Sequence, residues 1–167
     1  SGSLTLSNPD KSIRDFWIEH TKRCRRIADA MGAYQGDPCI MNIWVHDGSK
    51  DYTVEKLRYR QILKESLDEI LAENLPNMKP CLEAKLFGIG LEAYTVGSHD
   101  FYAGYCAKNN VIYTLDTGHY EPTENVSEAV SALLLFVPEL MLHVSRPMHW
   151  DSDHVTLFDD NTRNLFS

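Results

Sequence analysis

Residues 140–154 concentrate the side chains with which this chain could do chemistry. The segment begins as an apolar run of strand length and then supplies three histidines, two carboxylates, an arginine and a tryptophan. Asp151 and Asp153 are separated by one residue, so in an extended segment both carboxylates leave the backbone on the same side and can bind one hard cation. His143 and His154 can add imidazole nitrogens. The same residues also fit a solvated acidic loop after a buried strand, because Asp and Ser are common turn residues.

Strands and helices alternate along the chain, which predicts how these side chains are positioned. The apolar runs of strand length are 39–45, 81–87, 111–115 and 141–144. Helical patterns begin near Asn8 and Pro9, after Asp51, at Ser98, near Val126 and at Asp159. Strands that alternate with helices imply right-handed βαβ units and a parallel sheet, so the predicted fold class is α/β.

Two of the helices have a clear apolar stripe. The first is predicted to end at Gly32 with its apolar residues near one face, and the second to end before Pro76 and Pro80. The stripe of the first helix is Ile13, Phe16, Trp17, Cys24, Ile27 and Met31; that of the second is Leu63, Leu67, Ile70, Leu71 and Leu75. The fourth helix is predicted to run to Pro138.

Polar side chains follow all four predicted strands. They are Asn42 and Trp44, then Glu83 and Lys85, then Asp116 and His119, and finally His143 with Asp151 and Asp153. In parallel α/β folds the ligand site lies at the carboxyl ends of the strands. Taken singly, each of these residues is more often a hydrogen-bonded polar group than a metal ligand. Because such residues occur at all four strands, a metal site and a set of ordinary polar groups are equally good interpretations.

Composition narrows the class of protein. The 167 residues fit one domain, which we place at residues 4–167, and Ser1, Gly2 and Ser3 are interpreted as a tag remnant. A formal charge of -8 argues against nucleic-acid or anionic-membrane partners, and no apolar run in the sequence spans a bilayer. The four cysteines show neither zinc-site pairing nor the density of a secreted disulfide scaffold, so reduced thiols in a cytoplasmic protein are expected.

Five segments together resemble L-rhamnose isomerase in their order and spacing. They are 39–51, 83–90, 96–102, 115–124 and 142–154. The resemblance runs from about Leu4 to the end of the chain. It implies a manganese-dependent aldose-ketose isomerase on a TIM (β/α)₈ barrel, which interconverts L-rhamnose and L-rhamnulose in the cytoplasm. Its partners would be a small-molecule sugar and further copies of itself.

The resemblance also implies roles for individual residues. Glu83, Asp116 and His143 match the ligands of a structural metal, whereas His119, Asp151 and Asp153, helped by Asp116, match those of a metal beside the reacting atoms. Carboxylates and imidazoles suit Mn²⁺, which can polarise the sugar's O1 and O2 and promote hydrogen transfer between C1 and C2.

The resemblance places Lys85 and Trp44 at substrate-facing positions. Lys85, as a positioned cation or proton donor, could stabilise the charge that develops on oxygen. We therefore expect Lys85 and Asp116 to be catalytic, and Trp44 and Lys85 to bind substrate.

The chain departs from the family at two motifs and in length. Tyr120 and Glu121 stand where the family has an aromatic residue and a second histidine, and His149 stands where it has an arginine. A closed barrel needs about 250 residues, so four strand-helix units are expected to form about half of one and to be inactive alone. A non-catalytic truncated isomerase-like protein and a metal-dependent hydrolase remain alternatives, although the chain has no nucleophile elbow and no His-Glu-x-x-His motif.

Overall fold

The computed structural model describes residues 4–87 and 91–167, except for the side chains of residues 150–152. The helices are α1 (Lys11–Gln35), α2 (Lys56–Leu71), α3 (His99–Asn109), α4 (Ser127–Leu133) and α5 (Asp160–Leu165), with a 3₁₀ turn at Thr117–His119. The strands are β1 (Cys39–Trp44), β2 (Gly48–Ser49), β3 (Met78–Glu83), β4 (Tyr94–Thr95), β5 (Ile112–Asp116), β6 (Leu140–His143), β7 (Arg146–Met148) and β8 (Trp150–His154). Within the described ranges, no helix is both long enough and apolar enough to cross a membrane.

A parallel sheet of four strands organises the chain, and its order is β1-β3-β5-β6. Each strand therefore lies beside the next long strand in the sequence, with a helix in most connections, as the alternation of strands and helices predicted. In the register, Trp44 lies opposite Glu83, Glu83 opposite Thr114, and Asp116 opposite His143. The β2-β4 and β7-β8 pairs are antiparallel and were not predicted.

The amino-terminal cap of α3 confirms the start that was predicted from the sequence. The Ser98 hydroxyl accepts a hydrogen bond from the N–H of Phe101, and Asn110 ends the helix in a left-handed conformation with φ of 56°. The chain then enters β5, whose residues are all buried. These caps fix where the third long strand begins.

Three predicted boundaries are wrong. Helix α1 was expected to end at Gly32, but it runs to Gln35 and is capped by Gly36 in a left-handed conformation. The second long strand was expected over 81–87, but β3 begins at Met78, passes through Pro80 and ends at Glu83. Proline is tolerated there because β3 pairs with β5 only from Cys81 onward, which leaves one edge unpaired at Pro80. Helix α4 ends at Leu133, because the next turns tighten into i to i-3 hydrogen bonds such as that from Phe136 N–H to Leu133.

The apolar stripe predicted for α1 is not its buried face. Phe16 and Ile27 are 64% and 60% exposed, whereas Ile18, Arg25, Ala28 and Gly32 are buried. A Cβ at Gly32 would lie 1.8 Å from the carbonyl oxygen of Asn77, so a small residue is needed where the helix approaches the chain entering β3.

Arg25 explains why a charged residue lies on the buried face of α1. Its guanidinium donates to the carbonyl oxygen of Ile70, and also to that of Glu73 at 3.0 Å. Carbonyl groups at the end of a helix have no partner within that helix. The arginine therefore satisfies the carboxyl-terminal end of α2, and this contact fixes which side of α1 faces inward.

A buried carboxylate connects the first residues of the described chain to the loop after β1. Asp47 is fully buried and accepts hydrogen bonds from the N–H and hydroxyl of both Thr5 and Ser7, over 2.5–2.8 Å. The Asp47 carbonyl also accepts from Val96 N–H at 3.0 Å, next to β4. One residue thus joins three separate stretches of chain.

We expect Asp47→Asn to lower the free energy of unfolding by about 1–3 kcal/mol. The amide nitrogen of the variant cannot accept from the buried N–H or hydroxyl of Ser7. Asp10→Asn is the matched control, because Asp10 is the exposed N-cap of α1 and asparagine caps equally well. Urea unfolding followed by circular dichroism measures both; equal midpoints would contradict the role given to Asp47.

Candidate metal centre

The carboxyl ends of neighbouring strands bring the predicted polar side chains together. Glu83 is the last residue of β3, Asp116 the last of β5 and His143 the last of β6. His119 ends the 3₁₀ turn that follows β5 directly. Because the strands are parallel, all these ends lie at one edge of the sheet.

Glu83, Asp116 and His119 form the buried centre of this group. Each offers one oxygen or nitrogen atom within 4.8 Å of the others, and all three residues are buried. Two carboxylates and one imidazole are donors that suit a divalent cation. The three side chains therefore form a candidate metal centre.

His119 is oriented by the backbone. Its Nδ1 lies 3.0 Å from the carbonyl oxygen of Ala84, and since a carbonyl only accepts, Nδ1 carries the proton. The same nitrogen lies 3.2 Å from Glu83 Oε1. Nε2, the other ring nitrogen, lies 3.6 Å from Asp116 Oδ2 and 3.9 Å from Asp153 Oδ1. His119 thus directs Nε2 toward two carboxylates, and this is the nitrogen with which it would ligate a metal.

Glu83 keeps its negative charge although it is buried. Burial alone raises the pKa of this carboxyl, but its polar neighbours His119, Asp116 and Asn42 together outweigh that effect and lower the pKa to about 2. The Asn42 amide donates to Oε2, while Oε1 faces His119. Glu83 is the anion of the pair.

Asp116 shows the opposite behaviour. Burial, and then the neighbouring carboxyl of Glu83, raise the pKa of Asp116 to about 6. Its Oδ1 accepts from Gly118 N–H at 2.7 Å and from the Ser145 hydroxyl at 2.9 Å. Two adjacent buried carboxylates cannot both ionise at low cost, so one of them takes up a proton where no cation is present.

The second oxygen of Asp116 is the clearest sign of a ligand position. Oδ2 is buried and, within the described part of the chain, forms no hydrogen bond of acceptable geometry. Yet it lies 2.5 Å from His143 Nδ1 and 3.6 Å from His119 Nε2. A buried carboxylate oxygen that no donor satisfies and that two imidazole nitrogens face is the kind of position that a metal ligand occupies. The donors present therefore fit a metal.

The remaining predicted ligands lie toward solvent. His143 is half exposed, and its Nδ1 lies 3.4 Å from Glu83 Oε1. Asp153 lies in β8 and is exposed, and the Ser145 hydroxyl is 3.3 Å from its Oδ1. Asp151 also belongs to β8, so the backbone there is extended, but its side chain lies outside the described residues.

Lys85 and Trp44 lie together at the same edge of the sheet. The Lys85 Nζ is 5.2 Å from the centre of the Trp44 ring, within cation-π range. Trp44 is the exposed last residue of β1, whereas Lys85 follows the end of β3 and its N–H donates to Gly97. The predicted substrate-facing pair is therefore a contact pair, although Lys85 does not lie on a strand.

Two hydroxyl groups at this edge were missed from the sequence. Ser145 donates to Asp116, and Thr114 donates to Asn42 at 2.8 Å, which in turn donates to Glu83. Asn42 had been noted only as a polar strand residue. The available signal was spacing, since Ser145 lies two residues after His143 and Thr114 two residues before Asp116.

The fold and the site together define a class, an α/β protein with a candidate metal centre at the carboxyl edge of a parallel sheet. The profile of the family L-rhamnose isomerase (RhaA) matches residues 1–167. The chain belongs to the L-rhamnose isomerase family.

Curated relatives agree with this assignment. The chain is 68% identical over 167 residues to the L-rhamnose isomerase of Bacteroides thetaiotaomicron, covering 100% of this chain and 40% of that protein. It is 52% identical to the L-rhamnose isomerase of Mannheimia succiniciproducens, with coverages of 99% and 40%, and 52% identical to that of Pectobacterium carotovorum, with 97% and 39%. The chain thus spans about 40% of the length of these relatives.

We expect Asp116→Asn to weaken divalent-cation binding by more than about tenfold. The variant keeps an oxygen for Gly118 and Ser145 but puts an amide in place of Oδ2. Asp100→Asn, in the exposed first turn of α3, is the control. Calorimetric titration with Mn²⁺ measures both; equal affinities in the two variants would remove Asp116 from the centre.

Proposed function

We propose that this chain supplies the metal-binding edge of the active site of an L-rhamnose isomerase, which interconverts L-rhamnose and L-rhamnulose. The observation that carries the proposal is the convergence of Glu83, Asp116 and His119 beside the Lys85–Trp44 pair, in a chain of that family. The family match favours the isomerase over the metal-dependent hydrolase that the donor set alone allowed.

We place the parallel sheet within a TIM (β/α)₈ barrel, with residues 4–167 as part of its catalytic domain. Sequential parallel strands with helices between them are the repeating unit of that barrel, and its active sites lie at the carboxyl ends of the strands. The order β1-β3-β5-β6 and the position of the candidate centre both support this proposal. Four strands correspond to about half of the eight.

Manganese is the metal we propose, at two sites that share Asp116. Glu83, Asp116 and His143 would hold the first ion. His119 Nε2, Asp116 and Asp153 would hold the second, together with Asp151. The contacts of His119 support the division, because its Nδ1 faces Glu83 whereas its Nε2 faces Asp116 and Asp153. When bound, the ions would supply Lewis acidity at two neighbouring sugar oxygens.

The side chains of the chain would position the sugar and handle charge. The exposed face of Trp44 offers an apolar wall, and the Lys85 ammonium beside it can donate to a sugar oxygen as negative charge develops there. The buried part of the site, Glu83 and Asp116, holds its geometry through hydrogen bonds from Asn42, Gly118 and Ser145. Lys85 and Asp116 are accordingly the proposed catalytic residues.

We expect Lys85→Met to lower kcat for L-rhamnose by about a hundred- to a thousandfold, because it removes a donor to developing charge. Manganese affinity should be unchanged, since Lys85 is not a ligand. Lys79→Met is the control, as Lys79 lies on β3, the strand that precedes Lys85, but pairs with Glu139 at the surface. Coupled ketose assays on the protein that carries this chain measure both; equal rates would exclude a catalytic role for Lys85.

We also propose that the protein is cytoplasmic and associates with further copies of itself. Support for association comes from large apolar side chains at the surface after α4, with Leu135 and Phe136 78% and 70% exposed. The stripe on α1 adds Phe16 and Ile27. Surfaces of this kind are normally covered in native proteins.

Light scattering after gel filtration is expected to give a mass above the 19.1 kDa of one chain at micromolar concentration. Phe136→Glu should reduce the associated fraction, because a charge cannot be buried in an apolar contact at low cost. Tyr52→Glu, at another exposed aromatic residue, serves as the comparison. A sharp monomer peak for the unsubstituted chain would overturn the proposal.

A further inference from the structure

We infer that Asn42 is a positioning residue, which holds Glu83 so that only one of its carboxylate oxygens is presented to a metal. The inference rests on the proposed function, because it takes Glu83 to be a ligand. Asn42 lies on β1, and its amide hydrogen-bonds to one proposed ligand, Glu83. It would act through Glu83 alone.

The orientation of the Asn42 amide is determined by its two partners. A carboxylate accepts hydrogen bonds only, so the amide nitrogen must face Glu83 Oε2. The amide oxygen then faces the Thr114 hydroxyl, which donates to it at 2.8 Å. Reversing the amide would set two oxygens against each other at Glu83. Glu83 therefore determines which way the amide points, and Thr114 holds the other end of the amide in place.

The register places the three residues on three neighbouring strands. Glu83 on β3 lies opposite Thr114 on β5, and Trp44, two residues after Asn42, lies opposite Glu83 on its other side. Alternate residues of a strand share a face, so Asn42 and Thr114 project on the same face as Glu83. The link thus crosses the centre of the sheet, where the backbone is held by its hydrogen bonds.

As a result, the two carboxylate oxygens of Glu83 have different partners. Oε2 is taken by Asn42, whereas Oε1 lies 3.2 Å from His119 Nδ1 and 3.4 Å from His143 Nδ1. A carboxylate held in this way binds a cation through one oxygen. Binding through both oxygens is typical of Ca²⁺, which takes more ligands at longer distances than Mg²⁺-sized ions. Asn42 would therefore favour the smaller Mn²⁺ over Ca²⁺.

The experiment measures the affinities of Mn²⁺ and Ca²⁺ by calorimetric titration of the purified protein that carries this chain. Asn42→Leu should weaken Mn²⁺ binding by about ten- to a hundredfold and weaken Ca²⁺ binding less, because Glu83 is released to bind through both oxygens. Thr114→Val, which removes only the hydroxyl, should change the ratio of affinities in the same direction. Thr114→Ser should restore it.

Reference variants separate this inference from the proposed function. Asn109→Leu removes an amide that donates to Tyr105 away from the site, and Glu83→Gln removes the ligand charge itself. Unfolding midpoints in EDTA show that each variant is folded. The combined variant Asn42→Leu with Glu83→Gln should bind Mn²⁺ no more weakly than Glu83→Gln alone.

The outcomes are distinct. If Glu83→Gln binds Mn²⁺ as the parent does, the proposed metal site is wrong and the role of Asn42 falls with it. If Glu83→Gln is weak while Asn42→Leu and Thr114→Val match Asn109→Leu in both affinity and selectivity, the site stands and the inference is wrong. Loss of Mn²⁺ affinity with an unchanged Mn²⁺ to Ca²⁺ ratio would also overturn it, since that is what general loosening of the site produces.

Discussion

Two buried carboxylates within 4.8 Å of each other, Glu83 and Asp116, impose the condition that the rest of the site must meet. At that separation and an effective dielectric constant of about 20, the repulsion between the two ionised groups is roughly 3.5 kcal/mol. A hydrogen bond to a charged group contributes about 1.5–3 kcal/mol, so one donor alone does not offset the repulsion. The surrounding donors on Asn42, Gly118 and Ser145 are needed together. A divalent cation between the carboxylates would turn their net electrostatic energy from repulsive to attractive. Metal binding would therefore explain why two carboxylates are buried side by side.

The register of the sheet determines which side chains can meet this condition. Asp116 lies opposite His143, and Glu83 opposite Thr114, because the parallel strands are aligned at their carboxyl ends. A slip of one residue would turn Asp116 to the other face and bring Leu115 into the site. Such a slip would also take the buried Leu115 out of the apolar core. Burial of the neighbouring residues thus enforces the alignment on which the site depends.

Much of the fold was predictable because local chemistry and pattern agree. Ser98 and Asn110 bound α3 as their side chains predict, and the strand runs recover the parallel sheet. The face of α1 was not predictable from its apolar residues. The periodicity of apolar residues places Phe16 and Ile27 on the predicted stripe. It carries no information on the close approach of Gly32 to Asn77 or on the hydrogen bonds from Arg25 to the end of α2. Tertiary contacts decided between two possible faces.

Part of the site could likewise be predicted from residue types, and part depends on the register of the strands. Carboxylates and histidines at strand ends were visible in the sequence, whereas the link from Thr114 through Asn42 to Glu83 exists only once three strands are aligned. This link and the buried carboxylates Glu83 and Asp116 lie on β1, β3 and β5, while His143, Asp153 and Trp44 are exposed at the same edge. One side of the centre is therefore held by strand hydrogen bonds and the other faces solvent. A site that binds an ion and also admits a sugar requires one rigid side and one open side. The rigid side keeps the metal ligands in position while the sugar enters from the side that faces solvent.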